Sequence, residues 1–334
     1  MKIAYIHTRK DLSVAHPVHR AWAESIKPSY ITTFIPSKLY WLQELLERNR
    51  YLYKFTFIIN QPLAFLKSFY IPNADVYYIS TPTCIPTIFK KHAKVISLNA
   101  DPFFILCKRF IVNKYCKMLL KKIDGMISVT HYMKSLAEKY LRVPHEVVYP
   151  FIDVKKFSKV EPDFNSFNIC SIGGPSFIKG TDYLIKAYTK IKKLYPKSKL
   201  FILGEGPLLR YARKHAIAPG RVDPLPYLQK SRVYIQPSRH ESSGTAVLEA
   251  MCSGFIPIVS ENVGFKELIE KVNKEFIIKL NVDHIIKKID EIFNNCYDLE
   301  KLGKKCKKIA IKYTKERQCN QFKEKFYRIL NQLH

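Results

Sequence analysis

Two glutamates on either side of a glycine mark the stretch of this chain whose residue types best suit chemistry on a charged ligand. Residues 237–264 hold a polar turn, then Ser-Gly-Thr and an apolar run typical of a helix. Amides at the start of a helix lack internal acceptors and carry part of a positive charge, so they suit a phosphate. Glu241 precedes this helix, and Glu249 lies within it, where a carboxylate can accept hydrogen bonds from ribose-like hydroxyls. Such a pair is common by chance, but its setting between strand and helix favours a ligand site.

A lysine at a second turn supplies a complementary charge. The strand predicted over residues 167–172 ends in two glycines, and Lys179 then precedes Gly-Thr-Asp and a predicted helix. A lysine at a strand-to-helix turn is well placed for a diphosphate, although a lone lysine is more often simply exposed. Strands alternate with helices along the chain, which predicts parallel sheets with ligands at the carboxyl ends of the strands.

Read from Pro237, the residues P-S-x-x-E-x-x-G-x-x-x-L-E-A-M resemble the nucleotide-sugar signature of retaining glycosyltransferase family 4. The resemblance is strongest over residues 167–270. It implies an α/β protein of the GT-B fold, in which two Rossmann-like parallel-sheet domains face a cleft and a C-terminal helix crosses back to the first domain. The expected parts are an acceptor domain over 1–157, a nucleotide-sugar donor domain over 158–314 and a terminal helix over 315–334.

The resemblance also implies roles for individual residues. Glu241 and Lys179 would be catalytic, with Lys179 and the amides of residues 244–246 stabilising negative charge on a departing diphosphate. The departing phosphate oxygen would take the acceptor proton, so neither a metal nor another cofactor is expected. The residues expected to bind the donor are Gly173, Gly174, Lys179, Val222, Glu241, Ser243, Gly244, Thr245, Ala246 and Glu249.

Three of the departures from the family pattern lie near the expected ligands. The chain has no glycine in its first 124 residues, where the family often has a glycine-rich turn, and Gly174 stands where the family has an arginine. Arg239 or Arg9 would have to replace that cation. The family's histidine near the fourth strand is also missing. The candidates for the acceptor side are Asn99, Asp101, Arg9, His16 and His19, each of which has an ordinary loop or turn role as its alternative.

Composition limits the partners and the compartment. The formal charge of +28, from 56 basic and 28 acidic residues, indicates anionic partners or simply a lysine-rich lineage. Nucleic acid is not expected, because no reader motif is present. Eight cysteines without C-x-x-C spacing favour reduced thiols. Neither a signal peptide nor a membrane-spanning run is visible, which predicts a cytoplasmic protein, with peripheral binding to the inner membrane face as an option.

Several elements are predicted from apolar patterning alone. Residues 37–54 read as a helix, and residues 55–59, 76–79 and 95–98 read as strands. Residues 103–122 contain no acid and place three lysines on one helical stripe. Such a helix either lies on an anionic membrane surface or packs on the sheet with its basic face in solvent.

The leading hypothesis is a retaining glycosyltransferase that moves a sugar from a nucleotide-diphosphate sugar to a hydroxyl of a glycan or lipid-linked glycan. Two alternatives remain. The missing arginine and glycine-rich turn suggest a degenerate protein that binds a nucleotide sugar without turnover. Charge alone suggests a basic nucleic-acid-binding protein.

Overall fold

The computed structural model describes residues 1–8, 17–33, 56–100, 103–106 and 110–333 of the chain. The chain divides into two compact units. The first comprises Met1–Tyr149 together with Glu316–His334, and the second comprises Pro150–Lys315. Each unit is built on its own sheet, and every strand pair described in these sheets is parallel.

Six strands form the sheet of the first unit. Most of their side chains are buried whichever way they point, as expected for a parallel sheet that is covered on both faces. The strands are β1 (Ile3–His7), β2 (Tyr30–Thr33), β3 (Val76–Ile79), β4 (Lys94–Asn99), β5 (Gly125–Ser128) and β6 (His145–Val147). Their order across the sheet is β2-β1-β3-β4-β5-β6.

The helices described within Met1–Tyr149 lie between consecutive strands of the first unit in the chain. They are α1 (Pro17–Ser25), α2 (Thr56–Lys67), α3 (Phe103–Leu106), α4 (Phe110–Leu120) and α5 (His131–Ala137), with a 3-10 helix over Pro82–Ile88. The predicted strands over 76–79 and 95–98 are confirmed as β3 and β4.

One strand prediction is wrong. Residues 55–59 were expected to be extended, but the chain forms the helix α2 from Thr56 onward. A short apolar run does not by itself separate a strand from a buried helix. Here apolar residues continue beyond the run, and Ala64 is buried in the hydrophobic core of the unit. The helix predicted over 37–54 lies outside the described residues.

The second unit carries a sheet of the same kind, with the order β12-β11-β10-β7-β8-β9. Its strands are β7 (Ile169–Ile172), β8 (Leu200–Leu203), β9 (Ile217–Gly220), β10 (Val233–Gln236), β11 (Ile258–Ser260) and β12 (Ile277–Ile278). Its helices are α6 (Val154–Phe157), α7 (Thr181–Leu194), α8 (Leu209–Ala212), α9 (Leu225–Leu228), α10 (Thr245–Cys252), α11 (Lys266–Glu270), α12 (Val282–Phe293) and α13 (Leu299–Ala310).

The strand order of the second sheet reverses between β7 and β10. These two strands are parallel neighbours, although some sixty residues separate them in the chain. The loop after β7 and the loop after β10 therefore leave the sheet side by side. Such a reversal is where open α/β sheets usually bind ligands.

The last helix, α14 (Lys315–Gln332), packs from Glu316 onward on the first unit. Its Phe322 ring stacks on Trp22 with 5.2 Å between ring centroids, and its Phe326 ring meets Tyr78 edge to face. Both phenylalanines are fully buried. This helix therefore buries one face in the core of the first unit.

The lysine-striped stretch uses its apolar face inside the fold. Leu119 and Leu120 of α4 are buried in the core of the first unit, while Lys114 and Lys117 are exposed. This is the arrangement of a domain helix with a solvated basic face. The alternative, in which the same apolar face lies on a membrane, is contradicted for these described residues.

Truncation of Phe322 should destabilise the first unit strongly. The Phe322→Ala variant leaves a cavity beside Trp22, and loss of a buried phenylalanine typically lowers the free energy of unfolding by about 3–5 kcal/mol. Equilibrium denaturation measures this. The control is Lys323→Ala, which removes the exposed neighbour and should change the free energy by less than about 0.5 kcal/mol. Equal midpoints for the two variants would contradict the packing.

Candidate functional site

The loop after β10 leads into a helix whose first amides have no protein acceptor. Gly244 adopts φ = 85° in the left-handed region and caps α10, and no side chain caps the helix in its place. The amides of Thr245 and Ala246 donate to no acceptor among the described residues. Two directed donors and the positive end of the helix therefore face outward from the same turn, as an anion site requires.

Glu241 and Lys179 meet at this turn. The Lys179 ammonium forms an ion pair with Oε2 of Glu241, and both side chains are largely shielded from solvent. The backbone of Glu241 is held in place because its amide donates to Asn262 O at 3.0 Å and its carbonyl accepts from Gly264 N at 2.9 Å. The structure thus brings together the two residues that the sequence singled out as catalytic, from loops after neighbouring strands.

Arg239 ties the same two loops together. Its guanidinium donates two parallel hydrogen bonds to the Asp182 carboxylate, each 2.7 Å long, and a third to Phe177 O. It also lies over the Tyr183 ring, 4.5 Å from the centroid. Its backbone amide donates to Ile178 O at 2.8 Å. That Arg239 replaces the missing phosphate-binding arginine stays a prediction, since a phosphate would have to compete with Asp182 for this guanidinium, as it would with Glu241 for Lys179.

Gly180 makes this close approach possible. It adopts φ = 69°, and a Cβ atom at this position would lie 1.7 Å from Pro237 O. Only glycine lets the loop after β7 touch the loop after β10 at this point. In the Lys179-Gly180 pair, the lysine therefore supplies a charge and the glycine allows the two loops to pack closely.

The turn of Gly173 and Gly174 has its amides engaged. Both donate to Leu203 O, at 3.1 and 3.0 Å. Gly174 adopts φ = 78°, and a Cβ atom there would lie 2.2 Å from Glu205 O, so an arginine does not fit at this position. Gly173 lies beside the amine of Lys179, since an added Cβ would be 3.7 Å from Nζ. Donor binding at these glycines stays a prediction. Because both amides are already bonded to Leu203 O, the glycines would contribute the space they leave for the donor.

Glu249 lies in α10 with its carboxyl group shielded from solvent. Burial raises its pKa to about 7, and the positive charge of Lys156 acts in the opposite direction. The first turns of the second unit place Lys156 here: α6 packs on α10, where the Ser253 hydroxyl donates to Phe157 O at 3.1 Å. The carboxylate predicted to bind hydroxyls therefore titrates near neutral pH.

Lys156 is a residue that sequence reasoning missed. Its ammonium pairs with Oδ1 of Asp223 at 2.8 Å. Asp223 follows Val222, which was predicted to bind the donor and is 39% exposed on the loop after β9. No local sequence pattern predicts a contact between residues 67 positions apart, so the Lys156–Asp223 contact is visible only in the fold. Ser243, also predicted as a donor ligand, accepts a bond from Phe265 N through its carbonyl.

In the first unit, Asn99 is part of a buried polar chain. Its amide group donates to Ser128 Oγ at 2.8 Å and to Met133 O at 2.9 Å, and Ser128 Oγ lies 2.7 Å from His145 Nε2. Burial, with a contribution from Lys134, lowers the pKa of His145 to about 4, so this ring is neutral. The amide of Asn99 thus fastens β4 to β5 and α5, while its Oδ1 has no partner among the described residues.

The other candidates for the acceptor side are less defined. His19 is partly buried and packs on Trp22, with 6.0 Å between ring centroids. Arg9, His16 and Asp101 lie outside the described residues. Within the described ranges, no three His, Cys, Asp or Glu side chains cluster closely enough to hold a metal ion. In the same ranges, no helix has the length and apolarity to cross a membrane.

The chain is similar to known glycosyltransferases. Residues 155–313 match the family model described as "Glycosyl transferases group 1". An uncharacterized glycosyltransferase of Haemophilus influenzae is 28% identical over 189 residues, which are 52% of this chain and 52% of that protein. The chain therefore spans about half the length of this curated relative.

Solved structures resemble the whole chain. Sucrose-phosphate synthase from Thermosynechococcus elongatus matches with a TM-score of 0.72 and 13% identity, over 100% of both chains. Anabaena Alr3699/HepE in complex with UDP matches with a TM-score of 0.71 and 14% identity, over 98% of this chain and 100% of that one. The latter protein was also solved with UDP-glucose. At these identities the likeness shows the fold, and it confirms the predicted GT-B architecture of two Rossmann-like parallel-sheet domains.

The Arg239–Asp182 pair should couple the two loops measurably. Burial alone would raise the pKa of Asp182, but the hydrogen bonds and charge of Arg239 outweigh it and hold the pKa below its usual value. A double-mutant cycle of Arg239→Met and Asp182→Asn should give a coupling free energy of about 1 kcal/mol in denaturation, since the pair is partly exposed. The coupling should shrink as the pH falls through the lowered pKa of Asp182, where the carboxylate becomes protonated.

The chain offers a matched control for this cycle. Lys190 and Asp283 form a more exposed pair at 3.5 Å in the same unit, and Lys190→Met with Asp283→Asn should give almost no coupling. Equal coupling in the two cycles would contradict the special role of the Arg239 contacts.

Proposed function

We propose that this protein, whose residues 155–313 carry a glycosyl transferases group 1 domain, moves a sugar from a nucleotide-diphosphate sugar to a hydroxyl acceptor. The observation that carries the proposal is the convergence of Lys179, Glu241 and the uncapped start of α10 at the reversal point of the second sheet. The UDP complexes of a structural neighbour support a nucleotide sugar as donor.

The donor's charged and hydroxylated parts each have a partner. The diphosphate lies at the start of α10, where the amides of residues 244–246 and the Lys179 ammonium stabilise its charge. The diphosphate competes with Glu241 for this ammonium, so binding frees the Glu241 carboxylate. Glu249, in its ionised form, accepts hydrogen bonds from the two ribose hydroxyls. The base lies toward Val222.

The transfer retains the configuration at the anomeric carbon. The bond from this carbon to the phosphate oxygen breaks, and its electron pair goes to the diphosphate. The acceptor oxygen bonds to the same face of the carbon and gives its proton to the departing phosphate oxygen. Glu241 holds hydroxyls of the transferred sugar and supports its developing positive charge, while Lys179 stabilises the leaving group. No protein base and no metal takes part in this scheme.

On the acceptor side we propose a glycan or a lipid-linked glycan. Asn99 and His19, together with Arg9, His16 and Asp101, are the candidates of the first unit for binding it. The formal charge of +28 supports peripheral binding to an anionic membrane surface, where a lipid-linked acceptor would be found.

A second candidate function is nucleotide-sugar binding without turnover. Gly174 occupies the family's arginine position in a backbone conformation that admits no side chain, so one cation of the family's phosphate site is missing. This observation favours a weakened catalyst more than it does a different ligand.

Replacement of the two glutamates should separate binding from turnover. Glu249→Ala removes the ribose contacts and should weaken UDP-sugar binding about 10- to 100-fold by calorimetry. Glu241→Ala should leave binding within a few-fold but lower kcat about 100- to 1000-fold, because its contact strengthens in the transition state. Glu270→Ala, an exposed glutamate on α11, serves as the control.

Three results would be decisive for this assignment. Full activity in both glutamate variants would show that the site is misassigned. Tight UDP-sugar binding by the unmodified protein, with neither transfer nor hydrolysis of the donor, would establish the second candidate function. Loss of activity in Glu270→Ala as well would point to a general loss of folding.

Nucleotide-sugar affinity should depend on pH through Glu249. Because its pKa is about 7 and only the carboxylate accepts both ribose hydroxyls, affinity should fall about tenfold per pH unit below 7 and level off above it. A UDP-sugar is the right probe, since its diphosphate does not titrate between pH 5.5 and 8. Glu249→Gln should flatten the profile. Lys156→Met should move its midpoint to higher pH, because the lysine lowers the pKa of Glu249. Affinity that is constant over this range would contradict the role of Glu249.

A further inference from the structure

Two apolar side chains stand exposed directly before the catalytic lysine. Phe177 is 61% exposed and Ile178 is 45% exposed, and we call them the apolar pair. We infer that the apolar pair is a subsite for an apolar part of the acceptor, next to the point of sugar transfer. The inference rests on the proposed function and narrows its acceptor to a class with an alkyl or prenyl group near the accepting hydroxyl.

The exposure of the apolar pair is imposed by a fixed backbone. Phe177 O accepts bonds from Gly180 N at 3.0 Å and from the Arg239 guanidinium at 2.5 Å. Ile178 O accepts from Arg239 N at 2.8 Å, and Lys179 N donates to Ser176 Oγ at 3.3 Å. Both carbonyls therefore point into the protein, and the loop cannot turn its apolar side chains inward without losing these bonds.

Such a pair is unusual within its unit. Single exposed apolar residues are normal on a protein surface, but adjacent ones expose a continuous apolar patch at a free-energy cost of about 25 cal/mol per Å². Residues 150–315 are all described, and among their exposed large apolar residues Phe177 and Ile178 are the only ones adjacent in sequence. The described residues of the first unit include two other adjacent exposed pairs, Tyr30 with Ile31 and Phe69 with Tyr70, so the position of the apolar pair beside Lys179 is what marks it as a ligand surface.

The position of the pair selects the acceptor as the molecule that covers it. Lys179 follows Ile178 and forms an ion pair with Glu241. The apolar pair is therefore next in the chain to a residue that is proposed to bind the diphosphate and that contacts the residue proposed to bind the transferred sugar. Both of these parts of the donor are polar and have polar partners already. The nucleobase is assigned to the loop at Val222, after a different strand. The acceptor is the remaining substrate, and an apolar surface beside the site fits an acceptor with an apolar aglycone.

The experiment compares matched acceptors with and without an alkyl chain. The probes are octyl and methyl glycosides of glucose, galactose and N-acetylglucosamine, used below their micelle concentrations in the presence of UDP-sugar. Equilibrium binding and sugar transfer are measured separately. The test variant is Phe177→Ser with Ile178→Ser. The control is Leu194→Ser, since Leu194 is also 61% exposed but lies at the far end of α7, about 20 Å along the helix.

We expect the unmodified protein to bind at least one octyl glycoside about 10- to 100-fold more tightly than its methyl counterpart. The double serine variant should lose this preference, while its UDP-sugar affinity and its thermal stability stay unchanged. Leu194→Ser should keep the preference in full.

Three outcomes would overturn the inference. The unmodified protein shows no preference for octyl glycosides, the preference survives in the double serine variant, or the variant loses UDP-sugar affinity, which would place the pair at the donor. A preference that depends on the pair, without any sugar transfer, would instead leave the apolar subsite standing and refute the proposed function. The two failures are therefore distinguishable.

Discussion

The reversal of strand order between β7 and β10 is the constraint on which the candidate site depends. Because these strands are parallel neighbours, their following loops emerge together at one edge of the sheet. One loop brings a lysine and the other brings a glutamate and the uncapped start of a helix. The sheet alone places the loops near each other, and the Arg239–Asp182 pair and the glycine at 180 bring them into contact. The chemistry is thus assembled by backbone topology first and by side chains second.

Acidic side chains form ion pairs with the cations of this site. The chain has half as many acidic as basic residues, yet three cations described at the site, Lys179, Arg239 and Lys156, each have a carboxylate partner. The site is therefore not simply an extension of a basic surface. A ligand must compete with these carboxylates, which a diphosphate can do at the start of α10. Such competition favours ligands that carry both phosphate and hydroxyl groups over polyanions in general.

Sequence reasoning succeeded where the signal was local. The stretch from Arg232 to Gly254 predicted a strand over residues 232–236, then a turn and a helix, and the structure contains the strand as β10 and the helix as α10. It failed where structure depends on distant partners. Residues 55–59 have the composition of a strand, but from Thr56 the chain forms a helix, and farther along this helix Ala64 is buried in the core. The partners of Arg239 and Lys156 are 57 and 67 positions away, and no spacing in the sequence connects them.

The terminal helix has a consequence for the order of folding during synthesis. The ring of Phe322 completes the core around Trp22, so the first unit lacks part of its interior until residue 322 has left the ribosome. The second unit is continuous in sequence and has all its residues before then. Although domains usually fold from the amino terminus onward, here the unit begun first is the one finished last. During that interval a nascent chain lacks the rings of Phe322 and Phe326 that cover Trp22 and Tyr78 in the folded unit.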